Sequence, residues 1–273
     1  YAVVSYQTAW LKYYYPVEYM AALMTSVIDN PGKVAEYIYS CRQMGIKILP
    51  PDINHGYSSF SVDNGSIRYG LAAIKSIGRP VIKEIVAERK ANGEFKNLKD
   101  FIERMSGKDI NKRTIENFIK SGAFDELGGT RKQFMVIYVQ ILDQVNREKK
   151  NSMTGQMSLF DIVGEEQKSE FDIPLPNVGE YEKSTKLAFE KEVLGIYLSG
   201  HPMEEYEEQW RKGISKTTQD FQFDEELGFS RVSDGAAEII GGIIASKTIK
   251  YTKNNRTMCF LTIEDIMGSV EVV

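Results

Sequence analysis

The apolar positions of the first 45 residues recur at intervals of three and four, which is the period of an amphipathic helix. The pattern predicts three helices, with breaks at Pro16, at Asn30-Pro31 and at Gly45. They run from Val3 to Tyr14, from Val17 to Ile28 and from Lys33 to Met44. Aromatic residues at helical spacing usually pack, so we expect those of the first helix to enter a core or a domain contact rather than to stack on bases. These are Tyr6, Trp10, Tyr13, Tyr14 and Tyr15.

Beyond residue 45 the pattern changes several times. A short β-hairpin is predicted around Asp63-Asn64-Gly65, and helical spacing then resumes and ends in a long helix near 132–149. Residues 151–180 lack any period, so we interpret them as a linker. Two further helices are predicted over 181–198 and 204–212. From Glu238 onward three strands alternate with short turns, as at the start of an oligonucleotide-binding barrel, which has five strands.

The predicted fold class is therefore mainly α and multi-domain, followed by a partial β barrel. A length of 273 residues leaves room for two or three domains. No apolar run approaches the roughly 20 residues of a membrane helix, so we expect a soluble protein. The distant cysteines Cys41 and Cys259 lie in hydrophobic surroundings, which fits a reducing cytoplasm. Tyr1 begins inside a helical pattern and the last residues are strand-like, so we expect a piece of a longer protein.

The net charge of −4 conceals a division along the chain. Residues 68–131 contain 14 Lys and Arg against 9 Asp and Glu, whereas residues 156–212 contain 6 against 13. This asymmetry indicates different partners for the two stretches.

Few residues are available for catalysis or metal binding. The two histidines, His55 and His201, and the two cysteines, Cys41 and Cys259, do not have the spacing of a zinc site. The sequence also lacks a P-loop and an Asp-x-Asp pair of the kind that holds two magnesium ions. We therefore expect no enzyme activity and no metal site in this chain itself.

The most specific motif is YGLAAIKSIGRPVIKEIVAERK at 69–90, which has the pattern of a helix-hairpin-helix. An apolar helix is followed by a turn at Lys75-Ser76-Ile77-Gly78, and Pro80 opens a second helix. Gly78 would let a ligand approach the backbone, where the second helix presents unpaired amides. With Lys75 and Arg79 beside the turn, the motif predicts binding of DNA phosphates without sequence readout. The alternative is a turn with a purely structural role.

A weaker second copy is predicted in NKRTIENFIKSGAFDELGG at 111–129. There a helix from about Lys112 ends at Ser121, Gly122 and Ala123. Paired hairpins would hold both sides of one groove. The alternative is that Gly122 only caps the helix C-terminus, as glycine often does.

The linker contains Gln156-Met157-Ser158-Leu159-Phe160. Two large apolar residues in a polar stretch have no local core to enter, so they are candidate anchors in a partner's pocket, with Gln156 supplying hydrogen bonds. The alternative is that Leu159 and Phe160 fold back onto their own domain.

The terminal strands carry residues suited to single-stranded nucleic acid, namely Lys247, Lys250, Tyr251, Lys253 and Arg256. A charged turn on a solvated sheet edge explains the same residues equally well.

Six blocks in order resemble the bacterial replicative DNA polymerase III alpha-subunit family, and together they cover essentially the whole chain. They are VSYQTAWLKYYYPVEYMAALMT, ILPPDIN, YGLAAIKSIG, NKRTIENFIKSGAFDELG, QMSLF and EKEVLGIYLSGHPM. The resemblance implies five regions: 1–59 as the end of the fingers domain, 60–150 as a tandem helix-hairpin-helix domain for duplex DNA, 151–180 as a linker with a clamp-binding peptide, 181–234 as a helical connector and 235–273 as a truncated oligonucleotide-binding domain.

The resemblance also implies roles for individual residues. Residues 156–160 would enter the peptide pocket of the sliding clamp, the beta subunit, with Met157 where leucine is common. Ser76 stands where glycine is usual, which puts one phosphate contact in doubt. The family's catalytic aspartates belong to a palm domain upstream of Tyr1, and magnesium is expected only there.

The function implied is that of a non-catalytic region that holds product duplex while a peptide tethers the polymerase to the clamp. Further expected partners are single-stranded template and other replisome subunits, with no membrane. The alternative is a protein-interaction scaffold that does not bind DNA directly.

Overall fold

The computed structural model describes residues 1–153, 173–224, 228–252 and 255–273. The chain divides into two compact units, Tyr1–Leu198 and Ser199–Val273. Helices dominate the first unit and strands the second, so the predicted class, mainly α with a partial β region, is confirmed. Within the described residues, none of the helices is both long enough and apolar enough to cross a lipid bilayer.

The helices of the first unit lie close to their predicted positions. They are α1 Ala2–Tyr14, α2 Pro16–Ser26, α3 Pro31–Gln43, α4 Arg79–Asn92, α5 Leu98–Met105, α6 Lys112–Ser121, α7 Arg131–Met153 and α8 Lys183–Leu194. Pro16 and Pro31 occupy first-turn positions of their helices, where the missing N–H leaves no helical hydrogen bond unmade. The helix predicted over 181–198 ends early, because Gly195 adopts a left-handed conformation (φ 80°) that caps α8.

A single apolar core runs through the first unit. At its centre, Phe124 makes edge-to-face contacts with Phe101 at 4.9 Å and with Phe118 at 5.6 Å between ring centroids. Val193 and Leu194 of α8 are buried in the same core. The structure therefore places the first part of the predicted 181–234 connector in the same unit as the predicted hairpin domain.

The aromatic helix α1 contributes no buried residue to that core. Tyr6 is 71% exposed, and Trp10 packs on Tyr14 of the same helix at 4.9 Å between ring centroids. Within the described residues these aromatic residues do not enter a core, and the alternative of a domain contact stays a prediction. Helical spacing reports periodicity but not the presence of a second surface.

A three-stranded sheet lies beside these helices, with β1 Ile48–Leu49, β2 Ser61–Asp63 and β3 Ser66–Arg68 in the order β1-β3-β2. Asn64 (φ 49°) and Gly65 (φ 76°) form the tight turn of the β2-β3 hairpin, so this prediction is confirmed.

The second unit begins with short helical pieces and ends in an antiparallel meander. Its elements are a 3-10 turn Glu204–Tyr206, α9 Glu207–Gly213, a 3-10 turn Thr218–Phe221, β4 Phe223–Asp224, β5 Phe229–Ser230, β6 Ile243–Tyr251, β7 Thr257–Asp265 and β8 Gly268–Val272. The buried Asp265 accepts hydrogen bonds from the amide and hydroxyl of Thr218 and from the amide of Gly268. One carboxylate thus fixes both the β7-β8 turn and the preceding 3-10 turn. The three predicted strands are confirmed.

Candidate nucleic-acid interface

The first predicted hairpin connects a single 3-10 turn, Leu71–Ala73, to α4. The apolar helix predicted before it is therefore only this turn. The left-handed conformation falls on Ser76 (φ 63°), whereas Gly78 is extended (φ −74°) and caps α4. A left-handed serine carries a steric cost that glycine lacks, which is the physical reason why glycine would suit position 76.

Neighbouring helices hold this turn from two sides. The amide of Lys75 donates to the carbonyl of Val193 on α8 at 2.9 Å, and Asn117 Nδ2 on α6 donates to the carbonyl of Lys75 at 2.7 Å. The Ile77 side chain is buried at 7% exposure, so it belongs to the core and not to the predicted contact surface. Lys75, Ser76, Gly78 and Arg79 are exposed.

The amino end of α4 offers free backbone donors. Gly78 has no side chain to cap the helix, and the described residues supply no acceptor to the amides of Gly78, Arg79 and Val81. A Cβ atom at Gly78 would meet nothing nearer than Pro80 Cδ at 3.6 Å, so the fold itself does not require glycine there. Because Gly78 has no side chain, the space in front of the first amides of α4 is open.

The second hairpin does not lie at Ser121-Gly122-Ala123. All three residues are buried, and Gly122 (φ 82°) caps α6 with its amide bonded to the carbonyl of Ile119 at 3.1 Å. The amide of Ala123 is bonded to the carbonyl of Phe118 at 3.0 Å. A buried turn whose amides are already paired cannot hold phosphate. The structure therefore supports the alternative interpretation, a helix C-cap.

A turn that matches the first hairpin lies instead at the other end of α6, between α5 and α6. Both turns place a left-handed non-glycine residue three positions before a helix, then an isoleucine on the core, then the N-cap, then a basic first helical residue. The two series are Lys75-Ser76-Ile77-Gly78-Arg79 and Lys108-Asp109-Ile110-Asn111-Lys112. The sequence already contains this spacing, Lys-x-Ile-x-basic, which is the pattern that would have located the second turn.

The second turn is the less open of the two. Asn111 Oδ1 accepts from the amide of Thr114 at 3.0 Å, and Lys108 Nζ donates to Glu88. In the first turn, Lys75 has no carboxylate partner within the described residues. Arg79 pairs with Asp29 at 2.9 Å, but both side chains are more than half exposed, and such pairs contribute little.

One cleft of about 520 Å³ joins the first turn to the start of α6. Its lining includes four basic residues, Lys75, Lys112, Arg113 and Lys120, against Glu116 and Glu192. Lys120 contacts both glutamates, at 2.9 Å and 2.8 Å, so the remaining basic residues face the cleft as an excess of positive charge. Lys112 and Arg113 were not among the predicted contact residues.

The predicted single-strand contacts do not share one face of the meander. The register pairs Ile249 with Cys259 and Lys247 with Leu261, so Lys247, Ile249 and Tyr251 lie on the apolar face. Lys250 lies on the opposite face, where its Nζ is 5.0 Å from the centre of the Phe260 ring, and Arg256 lies in the turn. Lys253 lies outside the described residues, so its role stays a prediction. Because successive side chains of a strand point to opposite faces, the neighbours Lys250 and Tyr251 cannot contact the same ligand surface.

Comparison with known proteins agrees with this geometry. Residues 45–134 match the family model of the helix-hairpin-helix motif, which confirms that the motif is present. The chain is 36% identical over 273 residues to DNA polymerase III subunit alpha of Borreliella burgdorferi and 37% identical over 274 residues to that of Vibrio cholerae. Identity to the Escherichia coli K12 subunit is 35% over 274 residues. Each match covers 100% of this chain and 23% of the relative.

The whole length of this chain matches one segment of bacterial DNA polymerase III alpha subunits. The resemblance expected from the six sequence blocks is thereby confirmed. Because the segment spans less than a quarter of the DNA polymerase III alpha relatives, their activity and partners do not pass to it automatically.

Two expectations remain predictions for this DNA polymerase III alpha relative. Gln156, Met157, Ser158, Leu159 and Phe160 lie outside the described residues, so their clamp-binding role stays a prediction. Within the described residues, no three His, Cys, Asp or Glu side chains are grouped to hold a metal ion, and the expected lack of a cofactor is likewise untested.

The network around Glu88 gives the second turn a testable pH dependence. Hydrogen bonds from Lys108 first, then from Asn92 and Arg104, lower the pKa of Glu88 to about 2. Because this folded-state pKa lies below the unfolded value, its stabilisation is present at neutral pH and is lost as pH falls from about 4.5 towards 2. We expect Glu88→Gln to lower the free energy of unfolding by about 1–2 kcal/mol at pH 7.

Urea unfolding at pH 7 and at pH 3 tests this dependence. The difference between wild type and Glu88→Gln should shrink at the lower pH, and Glu84→Gln on the exposed side of α4 provides the matched control. A difference that does not change with pH would show that the Glu88 charge is not what stabilises the turn.

Proposed function

We propose that this chain binds the backbone of duplex DNA through its two related turns, as a non-catalytic part of a replicative polymerase subunit. The observation that carries the proposal is the repeated turn geometry with a basic cleft between its copies. Free amides at the start of α4 are suitable donors to phosphate oxygens, and the helix dipole favours negative charge there.

Side chains around the cleft add a second, electrostatic component. Lys75 and Arg113 are exposed and have no carboxylate partner within the described residues, and Lys112 pairs only weakly with Asp143 at 3.3 Å with both side chains about half exposed. Each could neutralise one phosphate. Since amides and lysines do not read base edges, binding should be indifferent to sequence.

Duplex binding by the whole chain tests the proposal. Fluorescence anisotropy with a labelled 20-base-pair duplex, repeated between 50 and 300 mM NaCl, should give a log–log slope of about −3 to −4, as expected for roughly four phosphate contacts. Two duplexes of unrelated sequence should bind equally. No measurable binding at 50 mM NaCl would favour the interaction scaffold instead.

The clamp-binding peptide belongs to the same proposal. Helix α7 ends at Met153, and near that end Lys149 Nζ donates to the carbonyl of Ser106 beside the second turn at 2.9 Å. Gln156 follows Met153 by three residues, so the peptide starts within about 11 Å of the end of α7. This short connection supports a function in which the clamp is tethered close to the DNA and raises the effective concentration of the duplex contacts.

Replacing Leu159 and Phe160 with Ala should abolish binding to a bacterial sliding clamp, because the peptide would lose both apolar anchors. Isothermal titration calorimetry measures the loss, and Ile162→Ala with Val163→Ala is the matched control from the same stretch. Duplex affinity should stay within twofold of wild type in both variants. Unchanged clamp binding by the Leu159 and Phe160 variant would refute the assignment.

The remaining roles of the relatives follow as part of the proposal. Nucleotidyl transfer with magnesium would reside in other regions of the DNA polymerase III alpha relatives. This segment would bind duplex DNA and tether the polymerase to the clamp. Single-stranded template is the proposed ligand of the meander in the second unit, with Lys250 and Arg256 as the residues outside its apolar face.

A further inference from the structure

A groove of about 440 Å³ runs along the flank of α4, away from the cleft between the two turns. Ile82, Val86 and Ala87 form its apolar floor, and residues Tyr57, Ser58 and Ser59 form the opposite wall. Lys83 and Lys90 are the two charged residues in its lining. The groove therefore combines an apolar floor with positive charge at two separated points.

The wall of the groove is fixed in place. The carbonyls of Tyr57 and Ser58 accept hydrogen bonds from the amides of Leu71 at 2.8 Å and Ala72 at 3.1 Å. The buried Arg89 lies over the Tyr57 ring at 4.9 Å from its centre and donates to the carbonyl of Ile53 at 2.8 Å. A rigid wall lets the groove exist before a ligand arrives, which lowers the entropic cost of binding.

Lys83 and Lys90 are exposed, and neither has a carboxylate partner within the described residues. Lys90 follows Lys83 by seven positions on one helix, which sets them about 10 Å apart along its axis. In an extended peptide, side chains alternate between two faces, so residues four positions apart share a face and are separated by about 13 Å. Two carboxylates at that spacing lie within reach of the two flexible lysine side chains, while an apolar residue midway between them on the same face covers the apolar floor.

We propose that this groove is a docking site for an extended acidic peptide of the form acid-x-apolar-x-acid from a partner protein. Charge complementarity and the apolar floor together select this occupant. Nucleic acid fits less well, because phosphates would pair with the lysines but leave the apolar floor of Ile82, Val86 and Ala87 uncovered, and Arg89 already covers a face of the one aromatic ring available for base stacking. The site is independent of the proposed duplex contacts at Lys75 and Arg113.

Fluorescence anisotropy with a panel of labelled peptides tests the groove on the whole chain. The panel has a Glu-Ser-x-Ser-Glu core with Leu, Ile, Phe or Met at x, and the same peptides with Gln for Glu. At least one acidic peptide should bind, its Gln version should bind at least fivefold more weakly, and Lys83→Ala with Lys90→Ala should weaken it at least fivefold.

Two controls separate the groove from general charge effects. Lys12→Ala with Lys47→Ala removes two other exposed lysines of the same unit and should leave peptide binding within twofold. Ala87→Trp should block the floor while both lysines remain. Failure of every peptide, or loss of a single-stranded 12-nucleotide oligonucleotide instead of peptide on removing Lys83 and Lys90, would overturn the proposal.

Discussion

Replacing Arg131 with Met should lower the free energy of unfolding of the first unit by about 3–5 kcal/mol, because it breaks a buried ion pair by removing one of its partners. Arg131 Nη1 lies 3.2 Å from Glu190 Oε1, with side-chain exposures of 6% and 2%. Its Nη2 also donates to Asp125 at 2.9 Å. A loss of this size corresponds to a drop of roughly 6–20 °C in Tm, measurable by circular dichroism.

Two further variants show whether the buried charge is the cause. Arg79→Met removes an exposed arginine–carboxylate pair from the same unit and should cost less than about 1 kcal/mol. Adding Glu190→Gln to Arg131→Met should restore part of the loss, since the amide oxygen still accepts from the amide of Leu198 while the buried negative charge disappears. No recovery in the double variant would assign the loss to packing instead.

This ion pair also bears on DNA binding. Glu190 belongs to α8, and the same helix supplies the Val193 carbonyl that fixes the first turn through Lys75. Residues on both sides of the 154–172 stretch thus belong to one unit, and the helix that follows this stretch supports the turn proposed to hold phosphate. Weakening the attachment of α8 should therefore loosen that turn as well.

Periodicity predicted the elements well, since apolar spacing and proline or glycine breaks are local properties. The first three helices, the hairpin at Asn64-Gly65, α7 and the strands of the meander all lie where the sequence indicated. Local patterns do not reveal what covers a helix, so spacing alone did not show that the aromatic residues of α1 lie outside the core of the described residues. The end of α8 was missed because the left-handed cap at Gly195 competes with an apolar pattern that continues to Leu198.

Of the two turns that form the candidate site, only the first was located from the sequence. The first turn was found because Gly78 and Pro80 mark it, but the second was sought at Gly122, where glycine serves as a cap. Its true equivalent contains Asp109 in the left-handed position and Asn111 as cap, neither of which stands out by composition. Comparison of backbone conformation, rather than of glycine content, revealed the repeat.

The repeat also shows that its two copies are unequal. Lys75 is free of carboxylate partners within the described residues, whereas the equivalent Lys108 is held by Glu88, whose pKa of about 2 keeps it charged. Gly78 leaves the amides of α4 open, whereas Asn111 occupies one amide of α6. We therefore expect the first turn, assisted by Arg113, to supply most of the affinity for DNA.

Replacing Lys75 and Arg113 with Ala should weaken duplex binding about tenfold at 150 mM NaCl and reduce the salt slope by about two, because two phosphates lose their counter-charge. Lys108→Ala, at the equivalent position of the second turn, should stay within twofold of wild type. Gly78→Ala should keep the wild-type Tm, since its φ of −74° and open surroundings accept a methyl group, yet weaken binding by crowding the amides. Equal losses for Lys75 and Lys108 would contradict the asymmetry, and an unchanged slope in the Lys75 and Arg113 variant would remove the first turn from the DNA interface.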